Sequence, residues 1–290
     1  MRYGLTFCDK LILKEADVSQ VYKNSMEDKK LKPRDKEGYD ADGYLLVRSF
    51  FRKEEIEKLY AVAREDTLIQ KNRYNRGDKE GLKTNLTLWY SLDDSIYSLV
   101  ARCARMVSGV RLLLEGEPAH FHSKLMQKEP RVGGAWEWHQ DYGYWYRDGF
   151  LFPQMLSVLT ALSPANRENG CLQVIKGSHK MGRISHGFAG EQVGADMERV
   201  NIARERMPLV YVEMNPGDSL FFHRNLLHRS DSNRSESARW SMITAYNLIS
   251  NRPFIGGHVS SYTPIDPVPD SQLLRADAKG ISDSADFKHR

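Results

Sequence analysis

The sequence lacks long hydrophobic runs and paired cysteines. No apolar run reaches the roughly 18 residues that a transmembrane helix requires, so neither a membrane span nor a membrane partner is expected. Cys8, Cys103 and Cys171 are isolated, and so sparse and odd a set indicates a reducing compartment without a disulfide framework. The residues from Met1 to Cys8 show no apolar signal region, and we therefore expect a cytoplasmic protein.

Long blocks of one charge are also missing. The 42 basic and 38 acidic residues give a net charge of +4, and the two signs are interleaved, for example between residues 27 and 37. Neither a basic block nor a nucleic-acid motif occurs, which argues against a nucleic-acid partner. With 290 residues and 41% hydrophobic content, the chain can form one domain with a full core. We expect a monomer or a homodimer.

The order of helical and extended patterns predicts a mainly β fold with flanking helices. Helical spacing of apolar residues occurs at 53–70 and again from Asp94 through Val107, whereas short extended runs follow Pro118. Helices first and many short strands afterwards are typical of a β-barrel or sandwich with helices on one side. The predicted single domain has four parts: a peripheral segment at 1–38, a helical flank at 40–118, a β core at 119–262 and a tail at 263–290.

Turn residues separate the extended runs and set their bounds. Glycine, asparagine and proline clusters divide the chain into short strands. The predicted strands are 44–47, 119–127, 135–141, 155–162, 171–175, 209–213, 219–223 and 239–247. The polar stretch 72–83 is predicted to be a loop. The stretch 182–208 is long for a connection, which suggests a lid or a segment that lines a site.

Candidate metal ligands stand out in the segment Trp138-His139-Gln140-Asp141. If this segment is extended, His139 and Asp141 lie on one face, because strand side chains alternate. A distant histidine, His228, would complete a set of two histidines and one carboxylate, which holds Fe(II) and leaves coordination positions open. Arg239 lies far enough beyond His228 to return on a neighbouring strand, where its planar guanidinium could bind a dicarboxylate through two hydrogen bonds.

The motifs around these residues resemble the phytanoyl-CoA dioxygenase family, which includes ectoine hydroxylase. They match in order and spacing over about residues 40–265. The matching motifs are Trp138-His139-Gln140-Asp141, Glu168-Asn169-Gly170-Cys171-Leu172-Gln173-Val174-Ile175-Lys176-Gly177-Ser178-His179-Lys180, Gly217-Asp218-Ser219-Leu220-Phe221-Phe222-His223, and His228-Arg229-Ser230 with Arg239. The resemblance implies a double-stranded β-helix, which is a cupin-like jelly roll. It also implies an oxygenase that uses Fe(II), 2-oxoglutarate and O2.

The family pattern also implies roles for individual residues of this chain. His139, Asp141 and His228 would bind Fe(II). Arg239 would pair with the far carboxylate of 2-oxoglutarate, and Ser230 would donate a hydroxyl hydrogen to the same group. Three further residues are expected near the cosubstrate: Gln140, Lys124 and Leu159.

His120 and His122 form a rival pair of the His-x-His kind that cupins use. In cupins a glutamate ligand usually follows four residues later, but this chain has Met126 there. We therefore predict that the pair does not bind the metal. His179 and His223 are predicted to be structural, because one lies in a turn and the other would face away from His228.

A cluster of aromatic residues after Asp141 leaves two interpretations open. Either the rings fill the core, or some of them line the substrate pocket and face a cationic group. The candidates for contact with the small-molecule substrate are Tyr142, Trp145, Tyr146 and Arg147.

The resemblance implies hydroxylation of an aliphatic C–H bond with release of succinate and CO2. Related halogenases have a small residue where this chain has Asp141, so the carboxylate favours hydroxylation. The short, ring-rich interval between Asp141 and Met155 suggests a compact pocket and favours a small polar metabolite as substrate. Three alternatives remain open: an acyl-CoA hydroxylase of the same family, a non-catalytic jelly-roll binding protein, and a metal-dependent cupin isomerase or epimerase.

Overall fold

The computed structural model describes residues 29–189, 191–256, 262–277 and 279–288. Cys8 and most of the predicted peripheral segment lie outside the described residues. Cys103 and Cys171 are buried free thiols, so these two cysteines form no disulfide with each other. No helix within the described ranges is both long and apolar enough to cross a bilayer.

Most helices lie in the first third of the described chain, and polar side chains set their ends. Asp66 lies between two consecutive helices. It caps the start of the second helix, because its carboxylate accepts hydrogen bonds from the backbone of Leu68 and Ile69. Ser95 caps a later helix in the same way, as its sequence position predicts. The α-helices are α1 (Pro33–Asp42), α2 (Lys53–Glu65), α3 (Thr67–Lys71), α4 (Ile96–Arg102), α5 (Ala104–Leu114), α6 (Asp141–Trp145), α7 (Met197–Arg206) and α8 (Gln272–Arg275).

The strands dominate the rest of the chain. They are β1 (Tyr44–Val47), β2 (Tyr74–Gly77), β3 (Lys83–Trp89), β4 (Pro118–Lys128), β5 (Trp136–His139), β6 (Met155–Ala161), β7 (Leu172–Ile175), β8 (His186–Ala189), β9 (Gln192–Ala195), β10 (Leu209–Val212), β11 (Ser219–His223), β12 (His228–Ser230), β13 (Arg239–Leu248) and β14 (Thr263–Pro264). A 3-10 turn at Ser178–Met181 follows β7.

Two antiparallel sheets make the body of the fold. The larger sheet has eight strands in the order β1-β11-β6-β13-β4-β3-β2, with β14 beside β4. The smaller sheet has four strands in the order β10-β7-β12-β5, and β8 pairs with β9 in a separate hairpin. Within the described ranges every pairing in these sheets is antiparallel. This mainly β architecture with flanking helices confirms the predicted fold class.

The large sheet has an apolar cluster on each face. Along β6, Val158 packs with the helices, whereas the next residue, Leu159, packs in the space between the two sheets. Met242 and Ile243 divide in the same way on β13. Successive strand residues point to opposite faces, so the two strands in the middle of the sheet support both cores. The core between the sheets is the one that surrounds the candidate site.

Several segments differ from the sequence prediction. The predicted loop at 72–83 contains β2 and the start of β3, so the predicted helical flank also supplies strands to the large sheet. The stretch 182–208 is not a structureless connection but the β8–β9 hairpin followed by α7. The predicted strand 135–141 ends at His139, and Asp141 begins a short helix. The polar composition of the segments 72–83 and 182–208 favours turns when each is considered alone. In the fold, pairing with neighbouring strands overrides that preference.

Candidate metal centre

Three buried side chains meet at one end of the smaller sheet. His139 ends β5 and His228 begins β12, and these two residues are directly paired across the strands. The Oδ1 atom of Asp141 lies 3.7 Å from Nε2 of His139 and 3.8 Å from Nε2 of His228. One ligand atom from each residue lies within 4.8 Å of the others, which in the described part of the chain makes a group able to hold a metal ion.

The two histidines present the nitrogen atoms that a metal requires. Nδ1 of His139 lies 2.7 Å from the carbonyl oxygen of Glu137, and Nδ1 of His228 lies 2.9 Å from that of Leu226. Since a carbonyl can only accept, each Nδ1 donates its hydrogen, and each Nε2 is left with a lone pair. Burial lowers the pKa of His228 to about 3, so its imidazole is neutral at physiological pH.

Asp141 is held in one orientation by a neighbouring strand. Ser157, on β6, donates its hydroxyl hydrogen to Oδ2 of Asp141 at 2.5 Å, which leaves Oδ1 facing the histidines. Burial opposes the charged form of this carboxyl, but its polar and charged surroundings, which include Lys124, hold its pKa below the usual range. Two imidazole nitrogens and a carboxylate oxygen form a donor set suited to Fe(II).

A partly open cavity extends from this cluster between the two sheets. Its walls carry both apolar and charged side chains. Arg239 lies in the wall and is 4% exposed, and its Nη1 donates to the carbonyl of Gly170. Its Nε atom is buried and has no hydrogen-bond partner among the described residues. The guanidinium therefore retains a donor for a ligand. The wall residues are Lys124, Met126, Trp136, His139, Asp141, Leu159, Leu172, Phe222, His228, Arg229, Ser230, Arg239 and Ile243.

Four of the five residues expected near the cosubstrate lie in this wall, and one does not. Arg239, Ser230, Lys124 and Leu159 all line the cavity. Gln140 does not line the cavity, and its amide group forms hydrogen bonds elsewhere. Its Nε2 donates to the carbonyls of Gly182 and Asn225, and its Oε1 accepts from the backbone of Ile184. Gln140 points away from its two neighbours and fastens the segment that leads into β8.

The residues expected to contact substrate are also absent from the wall of this cavity. The hydroxyl of Tyr142 donates to the carbonyls of Phe150 and Leu151, and Trp145 is a buried core side chain. Tyr146 lies at the surface under the guanidinium of Arg183. Arg147 donates to the carbonyl of His186 at 2.8 Å. None of these four residues lines this cavity, and their contact with substrate stays a prediction.

The remaining described histidines lie outside the group of candidate metal ligands. Nε2 of His120 lies 2.9 Å from the hydroxyl of Ser123, and His122 packs edge-on against Trp145. Within the described chain neither belongs to a group of possible metal ligands. His179 packs edge-on against His223, with the ring centroids 4.9 Å apart.

Two aromatic rings that pack against His139 were not predicted as site residues. The indole of Trp136 lines the cavity and packs 6.3 Å from the ring of His139. Tyr144 packs 5.5 Å from the same imidazole, and its hydroxyl donates to the carbonyl of Val193 on the hairpin. Both residues are close in sequence to the candidate ligands. The sequence does not show which rings face the site, because this depends on the path of the chain through α6 and the β8–β9 hairpin.

The fold and this site together define a class of protein, the jelly-roll oxygenases. The family model described as "Phytanoyl-CoA dioxygenase (PhyH)" matches residues 39–241, which is most of the chain. The chain therefore belongs to the phytanoyl-CoA dioxygenase family, and the predicted resemblance and enzyme class are confirmed.

Individual relatives include amino-acid and ectoine enzymes. The chain is 28% identical over 177 residues to L-proline trans-4-hydroxylase of Streptomyces griseoviridis, a match that spans 55% of this chain and 66% of that enzyme. It is 22% identical over 279 residues to ectoine dioxygenase of Stutzerimonas stutzeri, across 87% of this chain and 92% of that one.

A solved relative has the same fold. The structure of EctD from S. alaskensis with 2-oxoglutarate and 5-hydroxyectoine has a TM-score of 0.66 and 22% identity, and covers 82% of this chain and 88% of that one. Another structure of that protein contains bound Fe. The cofactors expected for the family, iron and 2-oxoglutarate, are thus those of a solved relative, and the donor set of this chain fits iron.

Proposed function

We propose that this protein is an Fe(II)- and 2-oxoglutarate-dependent dioxygenase that hydroxylates an aliphatic C–H bond of a small polar metabolite. The observation that carries the proposal is the convergence of His139, Asp141 and His228 in a buried cavity whose wall also contains Arg239. A protein that only bound a ligand would have no chemical need for a metal site with open positions. Family membership supports the same reaction class.

Each residue of the cavity has a distinct part in this proposal. The imidazoles of His139 and His228 and the carboxylate of Asp141 would hold Fe(II). Arg239 would bind the far carboxylate of 2-oxoglutarate, with Ser230 as a second donor. When bound, iron with 2-oxoglutarate and O2 supplies the oxidising chemistry, and succinate and CO2 leave as co-products. The protein positions the reactants and excludes water.

Further residues shape the outcome of the reaction. Lys124 and Leu159 line the cavity and would flank the cosubstrate. Asp141 occupies an iron position that a halide would need, so the proposed outcome is hydroxylation. The proposal of a small substrate rests on relatives named for L-proline and ectoine.

Metal binding is tested first. Asp141→Ala and His228→Ala should each lose tight, stoichiometric binding of Fe(II) in an anaerobic calorimetric titration, because the three ligands would share the ion. His179→Ala is a matched control, since this histidine lies outside the group of ligands. Near-normal iron binding by both site variants would contradict the assignment.

Turnover is tested with a substrate panel. With Fe(II), O2 and 2-oxoglutarate, the protein should release succinate slowly alone and faster with its substrate. The panel contains amino acids and their derivatives, including L-proline and ectoine, and acyl-CoA thioesters. If only a thioester stimulates succinate release, the substrate is an acyl-CoA and not a small polar metabolite. No consumption of 2-oxoglutarate by iron-loaded protein would favour a non-catalytic binding protein, and a chlorinated product in chloride would contradict the role of Asp141.

Arg239 provides a test of cosubstrate binding apart from the metal. Arg239→Ala should weaken 2-oxoglutarate binding about ten- to a hundredfold, because a charge-assisted bond in a buried site contributes roughly 1.5–3 kcal/mol. Arg239→Lys keeps the charge without the planar fork and should fall between wild type and alanine. Calorimetry with metal-loaded protein measures the change, while iron affinity should stay constant. If the dissociation constant of 2-oxoglutarate is unchanged in Arg239→Ala, Arg239 does not bind the far carboxylate. Another cation, such as Lys124, must then bind it.

A further inference from the structure

The last described residues, 286–288, extend the large sheet beside β3. Phe287 forms an antiparallel bridge with Trp89, and both rings belong to the apolar cluster on the helix side of the sheet. The backbone N–H of Lys288 donates to the carbonyl of Leu88 at 2.9 Å, and Leu88 belongs to the cluster between the two sheets. Because side chains alternate along a strand, Lys288 shares the face of Leu88. This segment therefore directs a lysine to the face that carries the candidate site.

Lys288 lies level with a wall residue of the cavity. Leu88 is the cross-strand partner of Lys124 on β4, and Lys124 lines the cavity. Two strand spacings, roughly 10 Å in all, separate the backbone of Lys288 from that of Lys124, and two lysine side chains can bridge that distance. Burial lowers the pKa of Lys124, and the charge of Lys288 adds to this effect, whereas that of Asp141 opposes it. The ammonium group of Lys288 is thus close enough to act on the wall of the cavity.

A second cation, Arg76, lies on the same edge of the sheet. Arg76 and Tyr74 share one face of β2, the guanidinium lies 5.3 Å from the centroid of the Tyr74 ring, and this ring packs in the cluster between the sheets. Burial raises the pKa of Tyr144, and the charge of Arg76 counteracts part of that rise. The ring of Tyr144 in turn packs 5.5 Å from that of His139. Arg76 and Lys288 therefore both face the space beside the candidate metal ligands.

Neither cation is neutralised by an ion pair within the described ranges. Burial lowers the pKa of Lys288, and the positive charge of Arg76 adds to this effect. The charge of Asp148 opposes it, but Asp148 and Lys288 form no ion pair with each other. Two partly buried cations close to each other are costly unless an anion compensates them, so a negatively charged ligand would be stabilised here.

These two cations lie apart from the end of the cavity at which Arg239 would bind 2-oxoglutarate. Arg239 is four residues before Ile243 on β13, and Ile243 is the cross-strand partner of Lys124. Since a strand rises about 3.3 Å per residue, the level of Lys288 and the level of Arg239 are roughly 13 Å apart along the sheet. A 2-oxoglutarate molecule held by Arg239 and the metal would not reach Lys288. An anion at Lys288 must therefore belong to the other reactant.

We propose that Lys288 and Arg76 bind an anionic group of the substrate and so make the enzyme selective for anionic metabolites. The inference rests on the proposed function, because it takes the metal group as the place of oxidation. It narrows the substrate class, since a neutral compound would leave both cations without a counter-ion. A purely structural role would instead confine Lys288 to holding residues 286–288 against Asp148.

The test compares small acids with their primary amides, which have nearly the same shape but lack the negative charge. The panel contains amino acids and hydroxy acids, each as acid and as amide, and CoA thioesters, whose anionic groups are phosphates. Stimulation of succinate release by iron-loaded protein gives the KM of each compound. An acid should stimulate wild type with a KM about tenfold or more below that of its amide. Lys288→Met should raise the KM of the acid about tenfold and leave that of the amide nearly unchanged, and Arg76→Gln should act in the same direction.

Two further variants separate binding from structure. Lys83→Met is the matched control, because Lys83 is an exposed lysine of β3 on the face opposite to that of Leu88, and it should keep the preference for acids. Asp148→Asn removes the acid whose charge acts on Lys288. It should not weaken the acid, whereas it would match Lys288→Met if the two side chains only held residues 286–288. Hydrogen exchange of these residues checks that the segment stays on β3.

The outcomes distinguish this inference from the proposed function. If Lys288→Met keeps the wild-type preference for acids, or weakens acid and amide equally, the inference is wrong. If only CoA thioesters stimulate the enzyme and Lys288→Met raises their KM, the inference holds and the anionic group is a phosphate. If no anionic compound stimulates a protein that still converts 2-oxoglutarate to succinate, the inference fails and the proposed function stands. No consumption of 2-oxoglutarate by iron-loaded wild type would instead contradict the proposed function.

Discussion

The hydroxyl of Ser157 should control how tightly the site holds its metal. Its Oγ donates to Oδ2 of Asp141 at 2.5 Å, and both side chains are buried. In Ser157→Ala this oxygen of the carboxylate loses a charge-assisted hydrogen bond, and the carboxyl group becomes free to rotate about its terminal bond. A buried anionic oxygen without a donor is less stable, and the free rotation must be lost again when the metal binds.

The size of the effect follows from the kind of bond that is lost. A hydrogen bond to a charged group contributes about 1.5–3 kcal/mol, and each 1.4 kcal/mol is about a tenfold change in affinity. Residues that orient metal ligands commonly change metal affinity by about ten- to a hundredfold. We therefore expect Fe(II) affinity to fall by about that factor. Loss of the donor also makes the carboxylate more basic, which strengthens its bond to the metal. This effect opposes the fall in Fe(II) affinity but does not restore the fixed orientation of the carboxylate.

The assay is an anaerobic competition titration with Fe(II), repeated with Co(II), alongside thermal unfolding of the apoprotein. Ser219→Ala is the matched control, because Ser219 is a buried serine of the same sheet whose hydroxyl lies 2.9 Å from that of Thr160 and away from the metal ligands. Both variants should lose similar stability, and only Ser157→Ala should lose metal affinity. Unchanged or tighter binding by Ser157→Ala, or an equal loss in Ser219→Ala, would refute the reasoning.

Three further predictions concern stability. Arg105→Met should destabilise the protein by about 3–5 kcal/mol in urea unfolding, because it leaves Glu55 charged and buried without its partner at 2.7 Å. Burial raises the pKa of Asp148 to about 6, so its charged form costs stability as pH rises from 4 to 6. Asp148→Asn should therefore raise the melting temperature above pH 6 and not below pH 4, in scans across pH. Gly143→Ala should loosen the β8–β9 hairpin, seen as faster hydrogen exchange there, because an added Cβ would lie 2.4 Å from the ring of His186.

The candidate ligands could be predicted from the sequence because short motifs fix them. His139, Asp141 and His228 sit at recognisable spacings, and Arg239 follows at a distance that suits a return strand. The assumption of an extended segment was wrong at its end, since Asp141 begins α6. The site forms all the same, because Asp141 turns towards the histidines while Ser157 fixes its other oxygen.

The structure differs from the expectation where an assignment depended on the course of the chain beyond the motif. Gln140 was expected at the cosubstrate, but strand alternation points it away from its neighbours, and its amide is occupied by the backbone before β8 and before β12. The rings after Asp141 looked like a pocket, yet a short helix gives them a different direction from a strand. Ser157 and Lys288 belong to no motif, so only the pairing of distant strands reveals them.

Each of the two sheets carries one end of the site. His139 and His228 are cross-strand partners in the smaller sheet, whereas Arg239 begins β13 in the larger one. A ligand that contacts the metal group at one end and Arg239 at the other therefore spans the gap between the sheets. The packing between the sheets sets the length of that gap. It follows that core substitutions at wall residues such as Leu159 and Ile243 should alter selectivity for the length of the 2-oxo acid more than they alter metal binding.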